Sequence, residues 1–117
     1  MLVFALNGSA SLPAAEAVER KIAADLPPVT ADAAALADGK TLYQGYCSRC
    51  HGDNVVSGNV LPDLRYSSAD VHANWQAIVH DGQLQAHGMM GFKQWLDAAQ
   101  IDRIQQYVLS RAHAAKE

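Results

Sequence analysis

The chain has 117 residues, nine basic and twelve acidic side chains, and a formal net charge of −3, the size of one domain with an appended tail. Half of its residues are hydrophobic, and although 21 of these are alanines, the larger apolar ones suffice for one modest core and exclude a disordered chain. The lack of a basic cluster argues against nucleic-acid binding, and no apolar run approaches the roughly 20 residues of a membrane span. Aromatic residues make up only 7% of the chain, which leaves room for a non-protein group at its centre.

In chain order, residues 2–6 form a short apolar run closed by the turn signal Asn7-Gly8, an expected β-strand. No later segment reads as its partner, so it resembles an orphan from a missing sheet. The run lacks the basic start and the length of a secretory leader, so the chain reads as a mature or excised piece. Residues 9–29 carry prolines at 13, 27 and 28; residues 14–25 could form a short helix, but the bounding prolines mark the stretch as a linker. Two regions are expected: 1–29 as terminal strand and linker, and 30–117 as a folded domain. The first is expected to be mobile or to pair with a second copy through its strand edge.

Residues 30–46 predict a helix capped by Thr30, with Leu36, Gly39, Tyr43 and Tyr46 on one face. Gly39 weakens that helix and predicts the close approach of another element. Residues 52–67 are rich in Gly, Asn, Asp and Ser and read as loop. Residues 68–81 place Val71, Trp75, Ile78 and Val79 on one helical side and stop at Gly82. The last segment opens with Asp97 and Gln100 as a capping-box-like pair, followed by an apolar stripe of Ile101, Ile104, Tyr107 and Val108. The predicted class is all-α.

Cys47-Ser48-Arg49-Cys50-His51 carries the chemistry. In C-x-x-C-H, two thiols one helical turn apart can add to the two vinyl groups of one haem, and the adjacent histidine reaches the iron as an axial ligand. A thioredoxin-like redox pair would need a βαβ setting, and a zinc site would need further ligands; neither pattern is present. The opposite axial ligand is open among Met89, Met90, His72, His80, His87 and His113. A core-filling role fits two adjacent methionines between glycines poorly, which favours a methionine. His72 and His113 read as solvated helix residues, while His80 and His87 stay possible through their nearness to the methionine loop. Arg49 is expected to point outward.

With these motifs in place, residues 31–117 resemble a class I cytochrome c. The resemblance implies that the carbonyl of Pro62 in Leu61-Pro62-Asp63-Leu64 accepts a hydrogen bond from His51, and that Gly39 meets Tyr107 where the terminal helices cross. The axial methionine of that family stands three residues before an aromatic; counting back from Phe92 selects Met89, with Met90 as the alternative because it replaces the usual proline. More narrowly, CHGDNVVSGNVLPDLRYSSA, WQAIVHDGQL and GMMGF resemble the haem domain of quinohaemoprotein alcohol dehydrogenases, and LVFALNGSASLP resembles their last propeller strand and interdomain linker.

That resemblance implies one covalent haem c held by Cys47, Cys50, His51 and Met89. Leu61, Leu64, Trp75, Ile78, Phe92 and Val108 would shield it from water, and Arg65, Tyr66 and Trp75 are candidate donors to its propionates. It also implies a periplasmic setting and a parent enzyme whose propeller holds PQQ and calcium. Reduced PQQ would feed the haem, and a small cytochrome, a cupredoxin or a quinone-linked protein would accept the electrons. This chain alone is not expected to oxidise alcohols. Alternatives from other classes are a free-standing cytochrome shuttle and an open-site haem enzyme of peroxidase type.

Overall fold

The computed structural model describes residues 21–57 and 61–116. The strand expected at residues 2–6 and most of the linker lie outside the described residues. Among the described residues there are four α-helices: α1 (Ala33–Tyr46), α2 (Ser48–His51), α3 (Ala69–Ala73) and α4 (Ala98–Lys116). Short 3₁₀ turns at Asp53–Val55, Leu64–Tyr66 and Gln85–His87 connect them, together with a π-turn at Gln76–His80. No β-strand occurs among the described residues, in keeping with an all-α chain.

The cap of α1 is Asp32, not Thr30: its carboxylate accepts the Ala35 N–H at 2.8 Å. Thr30 and Ala31 instead donate their backbone N–H groups to Gln106 Oε1 on α4, at 2.8 and 3.1 Å. Gln106 is buried, so two main-chain donors satisfy a polar group that the apolar stripe had concealed. The start of α4 follows expectation. The Asp97 carboxylate accepts from Gln100 N–H at 2.7 Å, and Gln100 Oε1 accepts from Asp97 N–H at 2.9 Å.

Helices α1 and α4 form the frame of the molecule. A Cβ on Gly39 would stand 2.8 Å from the carbonyl carbon of Arg103 and 3.1 Å from Tyr107 Cβ, so the two backbones touch where residue 39 has no side chain. One turn on, the rings of Tyr43 and Tyr107 lie 5.5 Å apart at 55°. Burial holds the Tyr43 phenol protonated far above neutral pH, and it donates to Gly52 O at 2.7 Å. Around this crossing Cys47, Val55, Trp75, Val79, Phe92, Leu96, Ile101, Ile104 and Val108 close one core. Tyr46 departs from the expected stripe and is exposed, because α1 ends there and the chain turns into α2.

The segment expected as one helix over residues 68–81 is two pieces. Ser68 caps α3, the chain kinks at Asn74, and the π-turn leads to Gly82 at φ 77°. Its apolar side still faces the core as Val71, Trp75, Ile78 and Val79.

The described part of the linker is neither helical nor detached. Residues 21–25 form no helix, and Ile22, Ala23, Leu26 and Val29 pack on Leu109 and Ala112 of α4. His113 Nε2 donates to Pro27 O at 2.8 Å. His113, expected in solvent, is therefore a half-buried anchor for this strap.

Candidate functional site

The C-x-x-C-H segment is the direct continuation of α1. Cys47 N–H donates to Tyr43 O at 2.8 Å, and Cys50 and His51 N–H both turn back to Cys47 O, at 3.2 and 2.9 Å. These bonds set Cys47 and Cys50 one turn apart, as free thiols, the first buried and the second exposed. Burial, aided by the neighbouring Cys50, pushes the Cys47 thiol up to about 12, so it is protonated at neutral pH. Arg49 is exposed, as expected. Gly52, at φ 87°, then reverses the chain, and a Cβ there would stand 2.7 Å from the Val56 carbonyl carbon. The reversal continues through Asn54 and Val55 at φ 56° and 66°; a β-branched residue in this region is strained, and Val55 is held there by complete burial.

His51 is buried, and its Nδ1 lies 2.9 Å from the Pro62 carbonyl oxygen. An oxygen acceptor requires the proton on Nδ1, which leaves the Nε2 lone pair free to bind a metal. Two thiols at one-turn spacing and a histidine fixed in this tautomer are the donor set that a covalent haem needs, so the residues present fit that group. Among the described residues no three His, Cys, Asp or Glu side chains converge as an ion site, which leaves a zinc reading without a ligand set.

The turn Leu64–Tyr66 is built on Asp63, a buried carboxylate to which the motifs along the chain assign no role. It accepts Arg65 Nε at 3.0 Å, Arg65 Nη2 at 2.7 Å, Arg65 N–H at 3.1 Å and Ser57 N–H at 3.3 Å. Burial pushes its carboxyl upward, but the Arg65 hydrogen bonds and the Ser57 N–H outweigh this and hold it below the usual carboxylate value. The detectable signal was an Asp two residues before an Arg after proline, a pattern suited to an Asx turn. Arg65, expected at a propionate, is already bound bidentately to Asp63, with its Cζ 5.5 Å from the Tyr66 ring centroid. Leu64, Arg65 and Tyr66 are all half-buried, whereas Leu61 is exposed and does not join the core.

Trp75, another candidate propionate donor, is engaged within the fold. Its indole N–H points to Ile101 O at 3.3 Å, and its ring stacks on His72 at 5.2 Å and 4°. His72 is buried rather than solvated, with Gln105 Nε2 donating to its carbonyl oxygen at 2.9 Å and standing 3.2 Å from its Nδ1. Among the described residues its Nε2 has no partner. Burial, and secondarily His113, lowers its pKa below the ordinary 6.5.

The methionine loop is stapled to the end of the π-turn. Phe92 N–H donates to Val79 O at 2.8 Å and Lys93 N–H to His80 O at 3.2 Å, while a Cβ on Gly91 would stand 2.7 Å from Gly82 N. Two glycines in contact thus close the loop at its base. Inside it, Met89 N–H donates to Leu84 O at 3.2 Å and Gly88 adopts φ 94°. The two methionines diverge: Met89 packs against the core that holds Cys47 and Phe92, and Met90 is 45% exposed. His87 is exposed, and His80 is half-exposed and bonded to Asp81 at 2.7 Å.

A sequence profile for "Cytochrome C oxidase, cbb3-type, subunit III" matches residues 34–108. The chain is 40% identical, over 97% of its length, to quinohemoprotein alcohol dehydrogenase ADH IIB of Pseudomonas putida, and 39% identical, over the same share, to the dehydrogenase subunit of an alcohol dehydrogenase (quinone) of Gluconobacter oxydans. It spans only 16% and 15% of those two proteins. It is also 35% identical, over 75% of its length and 78% of the relative's, to cytochrome c6 of Rippkaea orientalis. The solved structure of ADHIIG from Pseudomonas putida superposes with a TM-score of 0.76 at 39% identity, covering 92% of this chain and 15% of that one. The chain therefore belongs to the cytochrome c family, as a haem c electron-transfer domain of the kind found in quinohaemoprotein alcohol dehydrogenases.

Proposed function

We propose that the chain carries one haem c, which Cys47, Cys50, His51 and Met89 would hold, and that it takes electrons from reduced PQQ in a parent alcohol dehydrogenase and passes them to an external acceptor. When bound, the haem supplies a one-electron Fe(III)/Fe(II) couple, and a Met/His ligand pair raises its potential relative to other axial sets. Cys47 and Cys50 attach it covalently. The Pro62 carbonyl holds His51 in one tautomer and one ring orientation and makes it a stronger donor. Leu64, Trp75, Ile78 and Phe92 exclude water from its faces, and the guanidinium edge of Arg65 not occupied by Asp63, with the Tyr66 hydroxyl, serves the propionates. PQQ and its calcium belong to the propeller of the parent enzyme, in a periplasmic setting where covalent haem attachment and a soluble acceptor meet.

The observation that carries this reading is the 2.9 Å contact of His51 Nδ1 with Pro62 O at the end of the C-x-x-C-H turn. It accounts for a buried histidine whose other nitrogen is held ready for a metal. The choice of Met89 rests on its core packing against the 45% exposure of Met90. Absorption spectra of the haem-loaded chain test both. Sharp reduced c-type bands and the weak far-red band of methionine-ligated ferric haem are expected. Met89→Ala removes the far-red band, and Met90→Ala keeps it. A low-spin spectrum without that band in the unaltered chain would move the ligand to a histidine, and a high-spin spectrum would favour the open-site enzyme. Continuation of the upstream reading frame into propeller sequence tests the parent enzyme separately.

A further inference from the structure

Tyr43 is the largest fully buried side chain among the described residues. A phenylalanine would fill the same space, and a buried hydroxyl costs free energy unless it finds a partner. Its partner is main chain: the hydroxyl donates to Gly52 O at 2.7 Å. The backbone of the same residue holds the other end of the motif, since Tyr43 O accepts Cys47 N–H at 2.8 Å. One residue thus brackets the whole C-x-x-C-H segment, from the cysteine that opens it to the glycine that follows His51.

The two ends of that bracket differ in what they add. The Cys47 bond belongs to the helical ladder, and any residue at position 43 would supply its acceptor. The Gly52 bond needs a side-chain donor, because carbonyls at the end of a helix have no intrahelical partner. It also falls where the chain is least determined by itself. Gly52 sits at φ 87°, and a glycine peptide rotates freely unless something ties it. Its N–H is tied to Ser48 O at 2.8 Å, and the Tyr43 hydroxyl ties its carbonyl. The tie starts from a firm frame: the Tyr43 ring lies 5.5 Å from Tyr107, one turn from where Gly39 meets the Arg103 main chain. His51 is held separately, at its ring, by Pro62 O at 2.9 Å.

We propose that Tyr43 is a positioning residue for the axial histidine. Its hydroxyl locks the peptide that follows His51, so the imidazole is fixed at two points, Pro62 at the ring and Gly52 at the main chain. A hydroxyl that served stability alone would need any acceptor in the core; this one takes the carbonyl next to the ligand and so sets how Nε2 is presented. The role rests on the reading of His51 as the iron ligand.

Tyr43→Phe, which keeps the ring and removes only the hydroxyl, is compared with Tyr107→Phe in the haem-loaded chain. Amide exchange of His51 and Gly52 is read against that of buried Val108, which reports opening of the whole core. In Tyr43→Phe the ratio of these rates is expected to rise about ten-fold, and in Tyr107→Phe to stay as in the unaltered chain. The hyperfine-shifted ring protons of His51 in the ferric form should move in the first variant and stay in the second. In the unaltered chain the Tyr43 hydroxyl proton should exchange slowly enough to give its own resonance, a measurement that needs no variant. An unchanged ratio, His51 ring protons that stay in place, or a hydroxyl proton in fast exchange would overturn the positioning role. A His51 that proves not to bind iron would overturn the ligand reading, while the exchange ratio and the hydroxyl resonance, which do not depend on the axial set, would still decide the tie.

Discussion

Gly39 and Arg103 meet backbone to backbone: a Cβ on residue 39 would stand 2.8 Å from the Arg103 carbonyl carbon and nearer still to its oxygen. Both atoms belong to helix main chain, so neither can rotate away. Gly39→Ala is expected to force α1 and α4 apart and to cost about 2–3 kcal/mol, despite the better helix propensity of alanine. Denaturant unfolding of the haem-loaded chain checks this; a stabilised variant would show that the crossing is looser than the structure has it.

Asp63 and Arg65 make the acid behaviour predictable. The folded-state pKa of Asp63 is lowered, so the stability it contributes is present above its ordinary value of 3.8 and is lost as pH falls through and below it. Asp63→Asn is expected to cost about 1–2 kcal/mol at pH 7 and to flatten the loss of stability below about pH 4. Arg65→Ala leaves a buried carboxylate with only backbone donors, and should cost about 2 kcal/mol or more at pH 7. Unfolding curves at pH 3 and pH 7 separate the two variants.

His72 acts at milder pH. Because burial disfavours its charged form, the unfolded chain takes up a proton near 6.5 that the folded chain resists. Stability is therefore expected to be full above that pH and to fall as pH drops below it. His72→Phe, which keeps a ring against Trp75 and removes the unpartnered Nε2, should abolish this slope between pH 7 and 5. Melting temperatures across that range are the measurement, and parallel slopes in the two proteins would contradict the assignment.

Gly91 holds the methionine loop against Gly82. A Cβ at residue 91 would stand 2.7 Å from Gly82 N, 2.8 Å from Gly82 Cα and 2.9 Å from His80 O. Gly91→Ala is expected to destabilise by about 1–3 kcal/mol and, by displacing the loop that carries Met89, to weaken the far-red band. Gly88→Ala serves as a contrast: nothing lies within 4 Å of its Cβ position, and only the cost of φ 94° applies.

Much of the molecule was determined by short-range chemistry and could be read from the residues in order. The C-x-x-C-H spacing names its own cofactor because two thiols and a histidine one turn apart suit one chemistry. The Asp97–Gln100 box starts α4 because a cap needs only its own turn. Gly39 announced a close approach because a helix retains a destabilising glycine where something must touch it.

What needed the tertiary structure were choices between equivalent local candidates. Thr30 and Asp32 are both competent caps; Gln106, 76 residues away from Thr30, draws Thr30 off and leaves the helix to Asp32. Met89 and Met90 are alike in sequence, and the folded loop, closed where Gly91 meets Gly82, packs Met89 against the core and leaves Met90 exposed. His72 looked solvated on its own helix because its burial comes from Gln105 and Trp75, and the indole of Trp75 is claimed by Ile101. A residue's partners across the fold have no periodicity along the chain. The sequence alone therefore determined the elements and the chemistry they carry, while long-range packing decided which of two similar side chains is turned to the core and which to the surface.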